Sequence, residues 1–332
     1  MGHNGRLAVT KPTMKQIGLF LDAATPPPLA HLDADRRLAA RLAPRVLVGP
    51  STWTFPGWAG LVYPPGTGRE ELVDRGLEHA ARYPLFRTVG IDRSHYAPLT
   101  EDELRRYAEQ LPPSFPCVLK AWNALTTPSH ESGAPNPSFL DPGVCEQRVL
   151  LPLARAFSDH VGAIVFQFPP LSSRDLPHPD AFAERLDGFL GALPTAFQYA
   201  VEIRNRELLR PGYLEVLTRH RVAHVINLWE RMPDVGRQLA IPGILTAPVV
   251  VCRLSIPPGN RYEDQKRKFA PFNRIVAPNE AVRAAIAELS RACLNAQRTL
   301  FITVNNKVEG SSPLTIRALI ERMIEGGVGG GS

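Results

Sequence analysis

Residues 198–205 read Gln-Tyr-Ala-Val-Glu-Ile-Arg-Asn, and two kinds of side chain alternate along them. Tyr199, Val201 and Ile203 are apolar, whereas Ala200, Glu202 and Arg204 are small or charged. Side chains two apart on a strand share a face. The segment therefore predicts a strand with one face against apolar neighbours and the other carrying an acid and a base to its end. Seven further runs of this kind recur: Val46–Ser51, Phe86–Asp92, Pro116–Asn123, Gly162–Pro169, Val222–Trp229, Pro248–Ser255 and Thr299–Asn306. Helix-like segments separate most of them. This order predicts an α/β fold, a (β/α)8 TIM-like barrel with a closed parallel sheet, in which chemistry sits at the C-terminal strand ends.

The same parity assigns faces elsewhere. Val89 and Ile91 face helices while Thr88, Gly90 and Asp92 face inward; Leu119 and Ala121 oppose Val118, Lys120 and Trp122. The predicted inner rim is Asp92, Lys120, Trp122, Gln167, Glu202, Arg204, Asn227, Arg253 and Asn305. Asp92 and Glu202 there face Lys120, Arg204 and Arg253, and buried charge is costly unless paired. The bland reading is an ion-pair plug closing the barrel; the functional one is an active site, with Glu202, Lys120 and Asp92 catalytic. Trp53, Trp58, Trp122 and Trp229 also fall at strand tops, as do His95 and Tyr96. Each could simply pack. As a set they suggest a ring-shaped ligand on an aromatic wall. Ser51, Asn306 and Tyr262 complete the expected substrate-binding set.

The connection after the seventh run, Ile256–Pro278, is long, basic and aromatic. It carries Arg261, Lys266, Arg267, Lys268 and Arg274 against Glu263 and Asp264. Loops after strands seven and eight often hold phosphate in barrel enzymes. Arg253, Arg261, Lys266 and Arg267 are therefore the expected phosphate ligands, against a solvated charged loop as the alternative.

The chain has 332 residues, a net charge of +6 and 21% charged residues. That balance favours anionic partners: a small anionic substrate first, nucleic acid as the alternative. No run approaches a membrane span, and Met1–Thr10 lacks a signal-like apolar segment, so a cytoplasmic location is expected. Four scattered cysteines, Cys117, Cys145, Cys252 and Cys293, make no C-x-x-C pair and read as buried thiols. No P-loop, dinucleotide fingerprint, H-E-x-x-H or nucleophile elbow is present, so neither cofactor nor metal is predicted. Residues 1–44 read as an N-terminal extension with a stiff Thr25–Pro28 segment and a helix over His31–Ala43. Residues 45–325 read as the barrel, and 326–332 as a disordered glycine-rich tail.

Expected helices lie over Glu70–Arg82, Glu101–Gln110, Pro179–Ala192, Asn279–Ala296 and Pro313–Ile324, with another opening at Asp141-Pro142. Thr100 with Glu103 reads as a capping box. The sixth connection, Glu230–Thr246, gives no clear helix.

Taken together, Val48-Gly49-Pro50-Ser51-Thr52-Trp53, Trp58-Ala59-Gly60, Tyr63-Pro64-Pro65, Phe86–Tyr96, Lys120-Ala121, Val165–Pro170, Val201–Arg204, Arg253-Leu254 and Val304-Asn305-Asn306 resemble the YecE-like family, domain-of-unknown-function family number 72. The resemblance runs from about Val46 to Ile324 and implies a TIM-like barrel without an established activity. Departures stand at Gly90 and Asp92, at Asn227, at Ser255-Ile256 and at Ser311-Ser312-Pro313. The lost acid and imidazole groups argue against a metal-dependent or histidine-assisted mechanism. The residues themselves predict a hydrolase or lyase acting on a phosphorylated sugar or nucleotide-like substrate, with Glu202 as general acid or base. Nucleic-acid processing, or a barrel that binds a metabolite or partner without turnover, are the competing expectations.

Overall fold

The computed structural model describes residues 29, 31–130, 132–172, 174–175 and 178–330. The expected strands form as β1 Val46–Pro50, β2 Val89–Ile91, β3 Cys117–Lys120, β4 Val161–Gln167, β5 Tyr199–Glu202, β6 Ala223–Leu228, β7 Val249–Leu254 and β8 Thr299–Val304. All ladders are parallel, in the order β1-β8-β7-β6-β5-β4-β3-β2. The barrel is thus nearly closed, and its last seam lies between β1 and β2. There Arg87 donates its backbone N–H to the carbonyl of Val48 at 2.9 Å.

Glycine makes that seam possible. A Cβ on Gly49 would lie 1.7 Å from the Thr88 carbonyl oxygen, and one on Gly90 2.9 Å from the Ser51 backbone. No rotamer relieves a clash with backbone. Gly49→Ala is therefore expected to cost about 3 kcal/mol or more, read as a lowered urea midpoint. An unchanged midpoint would mean that the seam can part freely.

Alternation separates two apolar layers. Val118, Ala163, Val165, Ala200, Val225, Val251 and Phe301 fill the barrel interior. Val89, Leu119, Ile164, Phe166, Val201, Ile203, Cys252 and Ile302 face outward into the helix-packed core. His224, on the outward face of β6, is buried and 3.0 Å from the Tyr213 hydroxyl. That hydrogen bond explains a polar residue at an apolar position.

Four helices start at side-chain caps, Thr100, Asp141, Asp234 and Asn279. The Glu103 N–H donates to Thr100 Oγ1 while Glu103 Oε2 accepts from the Thr100 N–H, which opens Glu101–Ala108 with the expected capping box. Asp141 accepts from the Val144 N–H at 2.8 Å. The helix it opens is not continuous: Pro142–Cys145 passes through a wide π turn, Glu146–Leu150, into Leu151–Ala156. Pro152 lacks an N–H, and its ring crowds the carbonyl four residues back, which favours the widened turn. Helices at Arg69–Arg82, Pro179–Ala192, Glu280–Asn295 and Ser312–Glu325 follow the pattern. A helix at Pro211–Arg219 between β5 and β6, and a short one at Val235–Leu239 capped by Asp234, were not legible.

The helix Leu32–Arg41 and residues 326–330 are more firmly joined to the barrel than expected. The helix Leu32–Arg41 packs on Ser312–Glu325. Its fully buried Asp35 accepts from the Tyr83 hydroxyl at 2.7 Å and from Arg317. Arg87 donates to the carbonyls of Ala39, Leu42 and Ala43, which the helix end cannot satisfy itself. The boundary near residue 45 is therefore not a structural break. Residues 326–330, expected to be disordered, are held in place: Val328 is fully buried and Gly329 bridges Leu42. One valine with an apolar berth suffices, and Gly327 supplies the turn at φ 83. The Thr25–Pro28 segment and residues 331–332 lie outside the described residues. Among the described residues no helix is long and apolar enough to cross a membrane.

Candidate active site at the barrel mouth

Strand register assembles the predicted rim. Gln167 on β4 stands beside Glu202 on β5, and Asn227 on β6 beside Arg253 on β7. Arg253 reaches from β7 across the barrel. Its Nη1 donates to Gln167 Oε1 at 2.8 Å and to Glu202 Oε2, and its Nη2 lies 3.4 Å from Asp92 Oδ1. Asp92 also holds the Lys120 ammonium at 3.1 Å. Arg204 Nε sits 3.4 Å from Glu202 Oε1, with its guanidinium 3.7 Å above the Trp229 ring. Three cations and two carboxylates thus form one network with one positive charge in surplus.

The network has depth. Side-chain exposure is 1% for Glu202, 5% for Arg253, 9% for Lys120, 14% for Arg204 and 30% for Asp92. Glu202 and Arg253 form a floor; Lys120, Arg204 and Asp92 are what a ligand would meet. Burial alone would raise the Glu202 carboxyl, but Arg253, Arg204 and Lys120 together outweigh it and hold it at about 2. Glu202 is therefore a fixed anion. Burial, with Arg253 adding to it, pushes the Lys120 ammonium down to about 8, against the opposing pull of Asp92 and Glu202. Burial, then Lys120, lowers His95 to about 4, so its ring is neutral near pH 7; Nε2 lies 3.5 Å from Gln167 Nε2.

Several expected substrate contacts have other duties. Trp58 is fully buried and donates Nε1–H to Asn306 Oδ1, which also accepts from the Ser312 N–H. Both residues tie β8 to the core instead of lining the mouth. Trp53 is buried edge-on against Tyr107. Asn227 donates Nδ2–H to the Ile203 carbonyl, strapping β6 to β5. Trp122 is half-buried, with the Arg148 guanidinium 5.9 Å from its ring. Tyr96 is 73% exposed and edge-on to His95.

The expected phosphate clamp is not assembled. Arg253 is engaged in the floor. Arg261, Lys266 and Arg267 are exposed on or beside the helix Tyr262–Phe269, where Arg267 pairs with Asp264 at 2.6 Å and Lys266 approaches Glu263 at 3.9 Å. Spacing of three residues on a helix makes these local pairs. A cation that was not foreseen stands nearer the mouth. Asn305 donates Nδ2–H to Ser51 Oγ at 3.2 Å, and its Oδ1 lies 3.5 Å from the ammonium of Lys307. Tyr262 covers that ammonium, its ring centre 4.0 Å away. Lys307 escaped notice because it follows the end of the eighth run.

Among the described residues no three histidine, cysteine, aspartate or glutamate side chains group as a metal site. A model of the family described as "Protein of unknown function DUF72" matches residues 47–328. Among solved structures the chain is similar to a DUF72 family protein from Thermotoga maritima MSB8, at 18% identity and TM-score 0.58, over 84% of this chain and 99% of that one. It is also similar to one from Enterococcus faecalis V583, at 14% identity and TM-score 0.57, over 84% and 95%. At these identities the likeness concerns the fold alone. No curated protein matches the sequence. With the family model spanning nearly the whole barrel, the chain belongs to the DUF72 family.

Proposed function

We propose that the barrel mouth is an enzyme active site for an anionic, ring-bearing substrate, such as a phosphorylated sugar or nucleotide-like molecule, with Lys120 as the group that moves a proton. One observation carries this reading: a nearly buried lysine, 3.1 Å from a half-open carboxylate, held near a pKa of about 8. A lysine so placed can act as base or acid near neutral pH. Asp92 would orient it and meet the substrate. Arg204, flat on Trp229, offers a charged and aromatic wall for a ring. Glu202 becomes a positioning residue, since a carboxylate held at about 2 cannot serve as a general acid. A two-carboxylate glycosidase mechanism requires a protonated acid with a raised pKa. Lyase-type proton abstraction is therefore favoured over hydrolysis of that kind. Four buried thiols without disulfides accord with a reducing compartment such as the cytoplasm.

The test is a thermal-shift screen of phosphorylated sugars and nucleotides, followed by a turnover assay on each hit. Lys120→Met is expected to lose about 10²–10⁴-fold in turnover. A variant that turns over as fast as the parent rejects the role. The sealed Glu202–Arg253 floor supports a second reading, a barrel that binds such a ligand and leaves it unchanged; intact ligand after long incubation would favour it. Nucleic acid remains the third. Its support is the exposed Arg261, Lys266 and Arg267, and its mark would be retention that falls steeply with salt.

A further inference from the structure

Three lysine or arginine side chains are buried among the described residues: Lys120, Arg253 and Lys307, at 8%, 4% and 4% exposure. The first two face carboxylates. Lys307 faces none within ion-pairing distance among the described residues. Its ammonium has Asn305 Oδ1 at 3.5 Å, the Tyr262 ring at 4.0 Å and the Phe272 ring at 5.8 Å. An amide dipole and π faces attract a cation but do not neutralise it. A buried charge normally has an opposite charge beside it.

The neighbouring hydroxyl has a matching feature. Asn305 orientation is set by the Lys307 N–H, which donates to Oδ1 at 3.0 Å. Asn305 Nδ2–H therefore donates to Ser51 Oγ, and Ser51 accepts. The Ser51 O–H remains to be given, and among the described residues it donates to no protein group. Ser51 itself is 5% exposed. A buried ammonium and a buried hydroxyl with a proton to offer thus flank one amide. They lie where the β1 and β8 ends meet, beneath the helix that follows β7.

We infer that this side of the mouth binds the phosphate group of a phosphorylated ligand, with Lys307 and Ser51 as its donors and Tyr262 as its cover. Single-point donors just past the ends of two different strands suit a tetrahedral group better than a planar carboxylate, which favours a paired fork. The loops after β7 and β8 are also where barrel enzymes commonly hold phosphate. The inference rests on the mouth being a ligand site, and it places the phosphate away from Lys120, leaving that lysine for the reacting part of the molecule. Tyr262, 48% exposed and carried on a surface helix, can swing aside for entry.

The experiment is a calorimetric titration of the full-length protein with inorganic phosphate, and with acetate, at constant ionic strength. Saturable phosphate binding is expected, weakened at least tenfold in Lys307→Gln and several-fold in Ser51→Ala. A double variant, Lys266→Ala with Arg267→Ala, is expected to bind as the parent does. If Lys307→Gln fails to fold, Ser51→Ala decides. The absence of saturable binding, parental affinity in Lys307→Gln and Ser51→Ala, or acetate bound as tightly as phosphate would each overturn the inference. Loss of phosphate binding in Lys120→Met with retention in Lys307→Gln also overturns it, while sparing the proposed active site. Phosphate held through Lys307 by a protein that turns nothing over supports the inference and counts against the catalytic reading.

Discussion

Arg253→Leu is expected to destabilise the barrel by about 3–5 kcal/mol, the usual cost of leaving one member of a buried ion pair alone. The single guanidinium serves Gln167, Glu202 and Asp92 at once. Leucine would leave a carboxylate that is 1% exposed without its principal partner. The pH dependence separates this mechanism from simple loss of packing. In the parent, Glu202 is held at about 2, below its ordinary 4.5. A depressed carboxyl gives stability that is fully present above 4.5 and lost as pH falls toward 2. For a shift of this size it is on the order of 3 kcal/mol. In Arg253→Leu, burial would dominate, so Glu202 should rise above 4.5 and the sign reverse. That variant should gain stability on acidification from pH 7, where the parent does not. Glu202→Gln should instead flatten the curve between pH 4.5 and 2. Urea midpoints measured across pH 3–8 read all three behaviours. Parallel curves for parent and Arg253→Leu would show that the pair contributes nothing of this kind.

The fold and the floor of the site were legible for one reason: alternation is local. Each strand announces its own inward face, so Glu202, Arg253, Gln167 and Asp92 could be assigned to one mouth from residues adjacent in sequence. The same rule separates Asn305 from Asn306, since neighbours point to opposite faces; counting both as substrate contacts ignored it, and Asn306 turns out to hold Trp58. Beyond the strand ends the rule lapses. Lys307 sits inside a turn in which the Val308 N–H bonds back to the Asn305 carbonyl, and no period predicts where its ammonium lands. The basic connection failed for a different reason. Charge was visible in Lys266 and Arg267, but the helix that pairs them with Glu263 and Asp264 was not. Reach was equally hidden. Sequence places Arg204 at the mouth, whereas only the folded chain lays its guanidinium on Trp229.

Lys120→Met is expected to cut turnover by about 10²–10⁴-fold without costing stability at neutral pH. A lysine held at about 8 against an ordinary 10.5 binds its proton more weakly folded than unfolded. Between those values the unfolded chain carries more protons, so stability rises with pH. Below pH 8 the burden is fully present, on the order of 3 kcal/mol for this shift. Methionine has similar reach and no charge to bury. It removes that burden and gives up the 3.1 Å contact with Asp92, whose carboxylate is 30% exposed and can turn to water. The variant should therefore be at least as stable as the parent at pH 7, and its advantage should fade by pH 10.5. The same burial makes the amine useful. Near pH 7 about one tenth of it is neutral, roughly 300-fold more than for an ordinary lysine. Competitive acylation followed by peptide mass analysis should place half-labelling of Lys120 near pH 8. Half-labelling near 10.5, together with a stability curve unchanged by Lys120→Met, would remove the lysine from the proton-transfer role. A group poised to give up its proton at this cost to folding is what catalysis would select for; a structural plug would have no need of it.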